Sequence, residues 1–253
     1  MSRILRVPHE GLSEGDLRLS EEALHYVTRV HRLKRGDLLT LFDVTMGTEA
    51  EAELRDEHAG LVRVAACRTA RRTSLPVTLL SALGKGDKPE QVVRDVATLG
   101  AARVVFLHSE RSVARSSGSD RSSRFARIAV ETSRQCGRSD IPAIEGPLSL
   151  DAFFAQPRGA TVLRLVTCRV KESRPLLSLV AEAQARHGTF PETQILIGPE
   201  GGLSPREIEA ALAQGFAPAS LGPLVLRTEV ACGAALAALW LYADGLGSSG
   251  PGD

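Results

Sequence analysis

Two glycine-rich stretches near the end of the chain carry the residue types of a ligand site. The first, Ile195-Leu196-Ile197-Gly198-Pro199-Glu200-Gly201-Gly202, is an apolar run that ends in three glycines and leads into Leu203-Ser204-Pro205-Arg206-Glu207. Ser204 and Glu207 have the spacing of a capping box, with Pro205 at the first helical position, so a helix starts there. Capping does not require the glycines before it. Glycines at the C-terminal end of a buried strand let backbone approach a ligand, and open α/β sheets hold their ligands at that end. A tight turn is the alternative reading of the same residues. No Lys-Ser/Thr pair follows, so the loop is not a P-loop.

The second stretch, Leu221-Gly222-Pro223-Leu224-Val225-Leu226-Arg227-Thr228-Glu229, repeats the order of strand end, loop and helix start. Thr228 can cap the last helix, and Glu229 suits its positive N-terminus. Arg227 is the only basic residue after Arg206. An arginine isolated in an acidic, apolar segment calls for a specific partner: Glu229, Glu200 or a substrate anion. A third loop, Gly84-Lys85-Gly86-Asp87-Lys88-Pro89, begins like a dinucleotide fingerprint, with Glu110 where a ribose-binding acid would stand. Pro89 replaces the third glycine, which favours a plain turn with exposed lysines over a nicotinamide-dependent oxidoreductase.

A fourth candidate is a basic helix over 120–136. Phe125, Ile128, Ala129, Thr132 and Cys136 share one face, and Arg124, Arg127, Glu131, Arg134 and Arg138 share another. Residues 111–138 hold seven arginines against Asp120 and Glu131. The pattern fits either a solvated charged face or contact with a polyanion. The wider charge distribution points the same way. The net charge of +1 sums a neutral segment 1–72, a +6 segment 73–189 and a −5 segment 190–253.

The elements that position these residues fall into two sets. In the first 70 residues, Ser20 caps a helix with Leu24, Val27 and Val30 inward, and short strands run over 38–42, 50–54 and 61–65. A polar, basic stretch from Arg68 to Ser74 reads as a linker. Strands and helices then alternate: strands over 77–82, 103–107, 161–166, 194–197 and 219–221, helices over 89–99, 176–186, 204–214 and 228–243. Such alternation means an α/β layer around a mainly parallel sheet. The Gly/Ser/Pro-rich tail after residue 246 reads as disordered.

Composition excludes several classes. An apolar fraction of 43% with 24% charged residues belongs to a globular chain rather than a disordered, collagenous or coiled-coil one. Cys67, Cys136, Cys168 and Cys232 make no metal-ligand spacing and fit reduced, mostly buried thiols, so no metal is expected. The longest apolar run, Val230 to Ala243, is 14 residues, short of the roughly 20 a membrane span needs. With no signal-like N-terminus, a cytoplasmic protein is expected.

Gly198-Pro199-Glu200-Gly201-Gly202, followed by Leu221-Gly222-Pro223, Leu226-Arg227-Thr228-Glu229 and an alanine-rich last helix, resembles the RsmE family of ribosomal RNA uridine N3-methyltransferases of the SPOUT class. So do Glu110-Arg111-Ser112-Val113 and Gln135-Cys136-Gly137-Arg138 with Ile141-Pro142, and His25, Leu33, Gly36 and Asp37 in the N-terminal part. The sequence departs from the family pattern at Thr98, Thr167, Leu224 and Val230.

The resemblance implies a small PUA-like β-rich domain over 1–72, a SPOUT methyltransferase domain with a C-terminal trefoil knot over 73–246, and a homodimer. It implies S-adenosyl-L-methionine as methyl donor, held by Leu196, Ile197, Gly198, Gly201, Leu221, Gly222, Leu226 and Thr228. The implied reaction methylates N3 of a uridine in the 16S ribosomal RNA of the small subunit, with Arg227, Glu200 and Glu229 as catalytic candidates. Arg111, Arg124, Arg127, Arg134 and Arg138 are the expected RNA-binding residues. A non-catalytic RNA-binding or ribosome-assembly protein on the same fold is the alternative.

Overall fold

A computed structural model of the chain describes residues 5–70, 74–112, 119–138, 140–156 and 163–247. Gly247, the first residue of the expected tail, closes the last helix; the rest of that tail, part of the expected linker, Val113 and residues 161–162 of an expected strand lie outside them. The chain divides into two compact units, Met1–Thr73 with Val130–Ile141, and Ser74–Ala129 with Pro142–Asp253.

The first unit is built on a six-stranded sheet. Strands β1 (Leu5–Pro8), β2 (Gly15–Arg18), β3 (Leu38–Asp43), β4 (Thr48–Asp56), β5 (Leu61–Val64) and β6 (Arg68–Thr69) run in the order β1-β3-β4-β5-β2, with β6 pairing β4. Only β1 and β3 pair in parallel. Alternating apolar residues of these strands, among them Leu39, Leu41, Leu54 and Val62, form a core with Val7, Ala23 and Val27. Helix α1 (Glu21–His25) starts at Ser20, whose side chain accepts from the Ala23 N–H, and continues as a π-helical turn over Tyr26–Val30. That turn moves the expected inward face. Val27 is fully buried, but Val30 is exposed, because the wider turn no longer brings residue 30 under residues 23 and 27. Asp43 ends β3, and its carboxylate accepts from the backbone N–H of Gly11, Leu12, Thr45 and Met46.

The second unit has a seven-stranded, all-parallel sheet of β7 (Leu75–Ala82), β8 (Ala101–His108), β9 (Ala143–Ser149), β10 (Leu163–Thr167), β11 (Arg174–Pro175), β12 (Thr193–Ile197) and β13 (Ala217–Ser220). Their order is β11-β13-β10-β12-β7-β8-β9. Helices α2 (Lys88–Thr98), α3 (Ser119–Cys136), α4 (Leu150–Phe154), α5 (Leu176–His187), α6 (Pro205–Ala213) and α7 (Thr228–Gly247) connect or follow the strands. The last part of α3 belongs to the first unit. Runs such as Leu79-Leu80 and Ile195-Leu196-Ile197 are apolar on both faces because helices cover a parallel sheet on both sides. Pairs such as α2 with α7 and α5 with α7 pack against each other.

Strand β12 sits between β7 and β10, so the strand order reverses there. A crevice forms beyond the carboxyl ends of strands at such a switch point. Both glycine-rich loops lie there, since one follows β12 and the other follows β13.

Candidate active site

The cleft at the switch point measures about 350 Å³. Its lining comes from three strand ends and two helices: Thr167, Cys168 and Arg169 at the end of β10, Ile197 to Leu203 at the end of β12, Ala219 to Gly222 and Leu224 to Leu226 at the end of β13, with Ile208 from α6 and Thr228 and Ala231 from α7. Of the expected cofactor residues, Ile197, Gly198, Gly201, Leu221, Gly222, Leu226 and Thr228 line it. Leu196 does not. Strand alternation turns it to the opposite side of the sheet, into the core cluster with Leu80, Val105 and Val166.

The loop after β12 is held from three directions. A Cβ on Gly198 would stand 2.9 Å from both Cγ and the backbone N of Leu203, so only glycine fits there without moving the loop. Gly202 N–H donates to the Pro199 carbonyl at 2.7 Å. Thr228, expected to cap the last helix, is instead the first residue of α7, and its hydroxyl donates to the Gly198 carbonyl at 3.0 Å, tying the start of α7 to the loop after β12.

The capping box of α6 is present in both directions: Glu207 N–H donates to Ser204 Oγ, and the Glu207 carboxylate accepts from Ser204 N–H at 2.7 Å. The same carboxylate accepts from the Ser109 hydroxyl at 3.0 Å and the Glu110 N–H at 2.9 Å. One buried carboxylate thus joins the end of β8 to the start of α6. Arg111 adds a second tie, donating to the Gly201 carbonyl at 2.8 Å. This arginine, expected to contact RNA, also supports the glycine loop.

The catalytic candidates lie on the rim. Glu200 is exposed and pairs with Lys88, whose Nζ is also 3.9 Å from Glu229 Oε2. The Lys88 hydrogen bond holds the Glu200 carboxyl below the usual carboxylate range, and the same bond raises the Lys88 ammonium above its ordinary value. Lys88 therefore takes both acids that the sequence offered to Arg227, which is exposed and makes no ion pair with either. Glu229 is largely covered, and its Oε2 has no hydrogen-bond donor. Lys88 is the site residue that sequence reasoning missed. It lay in the loop Gly84–Pro89, where it was read as an exposed turn lysine. Only the pairing of β7 beside β12 brings that loop to Glu200.

The remaining arginines of the basic segment divide. Arg138 is 3% exposed and forms a two-bond pair with Asp140, at 3.1 and 2.7 Å, so it belongs to the interior. Arg134 stacks on Tyr26, with its Cζ 5.0 Å from the ring centroid. Arg124 pairs with Glu90 at 2.8 Å but is mostly exposed, and Arg127 faces solvent. Among the described residues no cluster of His, Cys, Asp and Glu could hold a metal, and no helix is long and apolar enough to cross a membrane.

Comparison with known proteins adds to this geometry. Residues 71–240 match the model of the RNA methyltransferase domain family. The chain is 33% identical to ribosomal RNA small subunit methyltransferase E of Synechocystis over 94% of its length and 77% of that protein. It is 32% identical to the protein of the same name from Mycobacterium bovis over 87% of its length and 83% of that protein. A putative methyltransferase of Legionella pneumophila, solved with the cofactor SAM, superposes with a TM-score of 0.81 at 30% identity, covering 95% of this chain and 98% of that one. A ribosomal RNA small subunit methyltransferase E from Neisseria gonorrhoeae, bound to S-adenosyl methionine, gives 0.82 at 25% identity with the same coverages.

Proposed function

We propose that this chain, which belongs to the ribosomal RNA small subunit methyltransferase E family, uses S-adenosylmethionine to methylate N3 of a uridine in small-subunit ribosomal RNA. The observation that carries the reading is the cleft of about 350 Å³ at the strand switch point, built from two glycine loops. Its volume falls in the usual range for a small-molecule site, about 300–1,000 Å³. The residues present fit the cofactor. Ile197, Leu221 and Leu226 offer apolar walls to an adenosine moiety, and Gly198 and Gly222 leave backbone within reach of it. When bound, S-adenosylmethionine supplies an electrophilic methyl group on a sulfonium sulfur.

The chain's own residues then have a proton to receive and a charge to hold. Uridine N3 is protonated at neutral pH, and as it loses that proton the uracil oxygens gather negative charge. Arg227, between the cleft-lining residues Leu226 and Thr228, is exposed and has no carboxylate within ion-pair distance among the described residues, which suits it to face that charge. Glu200 is held by Lys88 as a carboxylate of lowered basicity. Either Glu200, exposed at the cleft, or Glu229, whose Oε2 is buried without a donor, orients the ring or takes the N3 proton.

The same reading extends to the whole chain. The sheet of the first unit serves as a PUA-like RNA-binding domain over 1–72, and 73–246 form a SPOUT domain whose C-terminal loops make a trefoil knot. The order β10-β12-β7, with β12 inserted between earlier strands, supports that topology. A homodimer is part of the proposal, supported by Leu224 and Val225, which are 76% and 74% exposed at the cleft. So is a cytoplasmic location, where the RNA is made.

The test is transfer of radioactive methyl from S-adenosylmethionine to isolated small subunits by the wild type and by Arg227→Ala. The variant should lose about 10²-fold or more in rate, with cofactor affinity within about threefold of wild type. Parallel loss of cofactor binding would overturn the role of Arg227. Cofactor binding by the wild type without transfer would favour a non-catalytic ribosome-assembly protein.

A further inference from the structure

The first unit contains a second cleft, of about 960 Å³, lined by Arg6, Tyr26, His31, Asp37, Leu38 and Arg134 among others. Nothing in the proposed reaction uses it. Two aromatic rings meet there: Tyr26 and His31 have centroids 4.6 Å apart at an interplanar angle of 67°. The Arg134 guanidinium lies over the Tyr26 ring, and its Nε is buried with no hydrogen-bond partner. A buried guanidinium N–H without an acceptor is costly, and a ligand oxygen would relieve it. Burial also holds this arginine's pKa below the ordinary value, outweighing the opposing charges of Glu22, Tyr26 and Glu131.

The segment that supplies His31 is strongly cationic. Arg29, Arg32, Lys34 and Arg35 are all exposed between the π-helical turn and β3. Arg32 adopts a left-handed conformation with φ of 57°, uncommon for a side-chain-bearing residue and concentrated at sites where a loop is held for use. The acid among the named lining residues, Asp37, accepts from the Lys34 N–H at 2.7 Å, so it shapes the loop that presents those cations. Leu38 is 48% exposed and adds an apolar surface at the cleft.

We propose that this cleft binds an unpaired nucleotide of the RNA substrate, with its base against Tyr26 and His31 and its phosphate on Arg134. Aromatic rings for stacking, a flat guanidinium, and a ring of exposed cations are the features by which proteins hold single-stranded RNA. A duplex would offer no base to the rings. The identity of the polymer rests on the proposed function, but the cleft itself does not, so the two can fail separately.

The experiment uses the full-length protein and a short single-stranded oligouridylate carrying thiouridine. Photocrosslinks mapped by mass spectrometry should fall on the peptide 26–38 or at Arg134; crosslinks confined to other regions overturn the proposal. In parallel, His31→Ala and Arg134→Gln should each weaken oligonucleotide binding about tenfold or more, with S-adenosylmethionine affinity unchanged. Arg134→Lys, which keeps the charge but not the plane, should recover only part of the loss. Wild-type affinity in both loss variants overturns the proposal, as does tight binding of duplex RNA alone. Crosslinks in the cleft without methyl transfer to small subunits would leave the cleft standing and remove the enzymatic reading. Transfer with crosslinks only elsewhere would do the reverse.

Discussion

Glu207 offers the sharpest test of how the active-site loops are held. Its carboxylate accepts from Ser204 N–H within the capping box, and from Ser109 Oγ and Glu110 N–H on the loop after β8. The bond that Glu207 accepts from Ser204 N–H is the return half of the capping box, and its loss costs about 1 kcal/mol. Each of the other two bonds ends on a charged acceptor and contributes about 1.5 kcal/mol, less where water can replace it. Glu110 is exposed and Ser109 half-buried, so some replacement occurs. Glu207→Ala should therefore destabilise the fold by about 3 kcal/mol, three times the cost of the cap alone. Glu207→Gln keeps one oxygen for Ser204 and Ser109 but turns an amide N–H towards the Glu110 N–H, and should cost about 1.5 kcal/mol. Urea denaturation followed by far-UV circular dichroism measures both, and an unchanged m-value would show that the unfolded state is not the cause. A loss of only about 1 kcal/mol in Glu207→Ala would refute the tie between β8 and α6 and leave Glu207 a local cap.

Gly198→Ala places a methyl group 2.9 Å from the Leu203 backbone, so the loop must shift; calorimetric titration should show S-adenosylmethionine bound at least about tenfold more weakly, with global stability reduced by about 1–3 kcal/mol. Arg138→Ala leaves Asp140 without its two-bond partner and should destabilise by about 3 kcal/mol, whereas Arg127→Ala should leave thermal unfolding unchanged and flatten the salt dependence of RNA binding. Burial pushes the Asp43 carboxyl up, but hydrogen bonds from Met46, Leu12, Gly11 and Thr45 outweigh it and lower its pKa overall. A depressed folded-state pKa means stabilisation that is complete above the unfolded value of about 3.9 and lost as pH falls through the lower folded value. Asp43→Asn should thus flatten the acid limb of a stability-versus-pH curve, which thermal melts between pH 2 and pH 5 would register.

Much of the second unit is legible from local sequence. Helix α6 starts where Ser204, Pro205 and Glu207 mark it, and the strand over 194–197 falls inside β12, because capping and apolar runs are short-range signals. Strands β1, β2 and β9 escape that reading. Their four to seven residues alternate weakly or include proline and glycine, so only pairing with distant strands makes them strands. The arginine cluster of 111–138 shows the same divide more plainly. Its composition suggested one basic surface, yet Arg138 is buried on Asp140 and Arg111 donates to the Gly201 carbonyl of the glycine loop. Charge counts along a sequence do not state which way a side chain turns.

By itself the sequence determined the alternation of strands and helices, the two glycine loops, the cap at Ser204, and the kinship that these motifs carry. Those features depend on residues within a few positions of one another. Only the tertiary structure decided that Lys88 from one strand end pairs with Glu200 from another, that Arg227 is left without either acid, and that Glu207 serves two loops. Those contacts join residues 97 and 112 positions apart, and what brings them together is the insertion of β12 beside β7. Strand order in a parallel sheet is set by the packing of the whole layer, so no local pattern of residues encodes it.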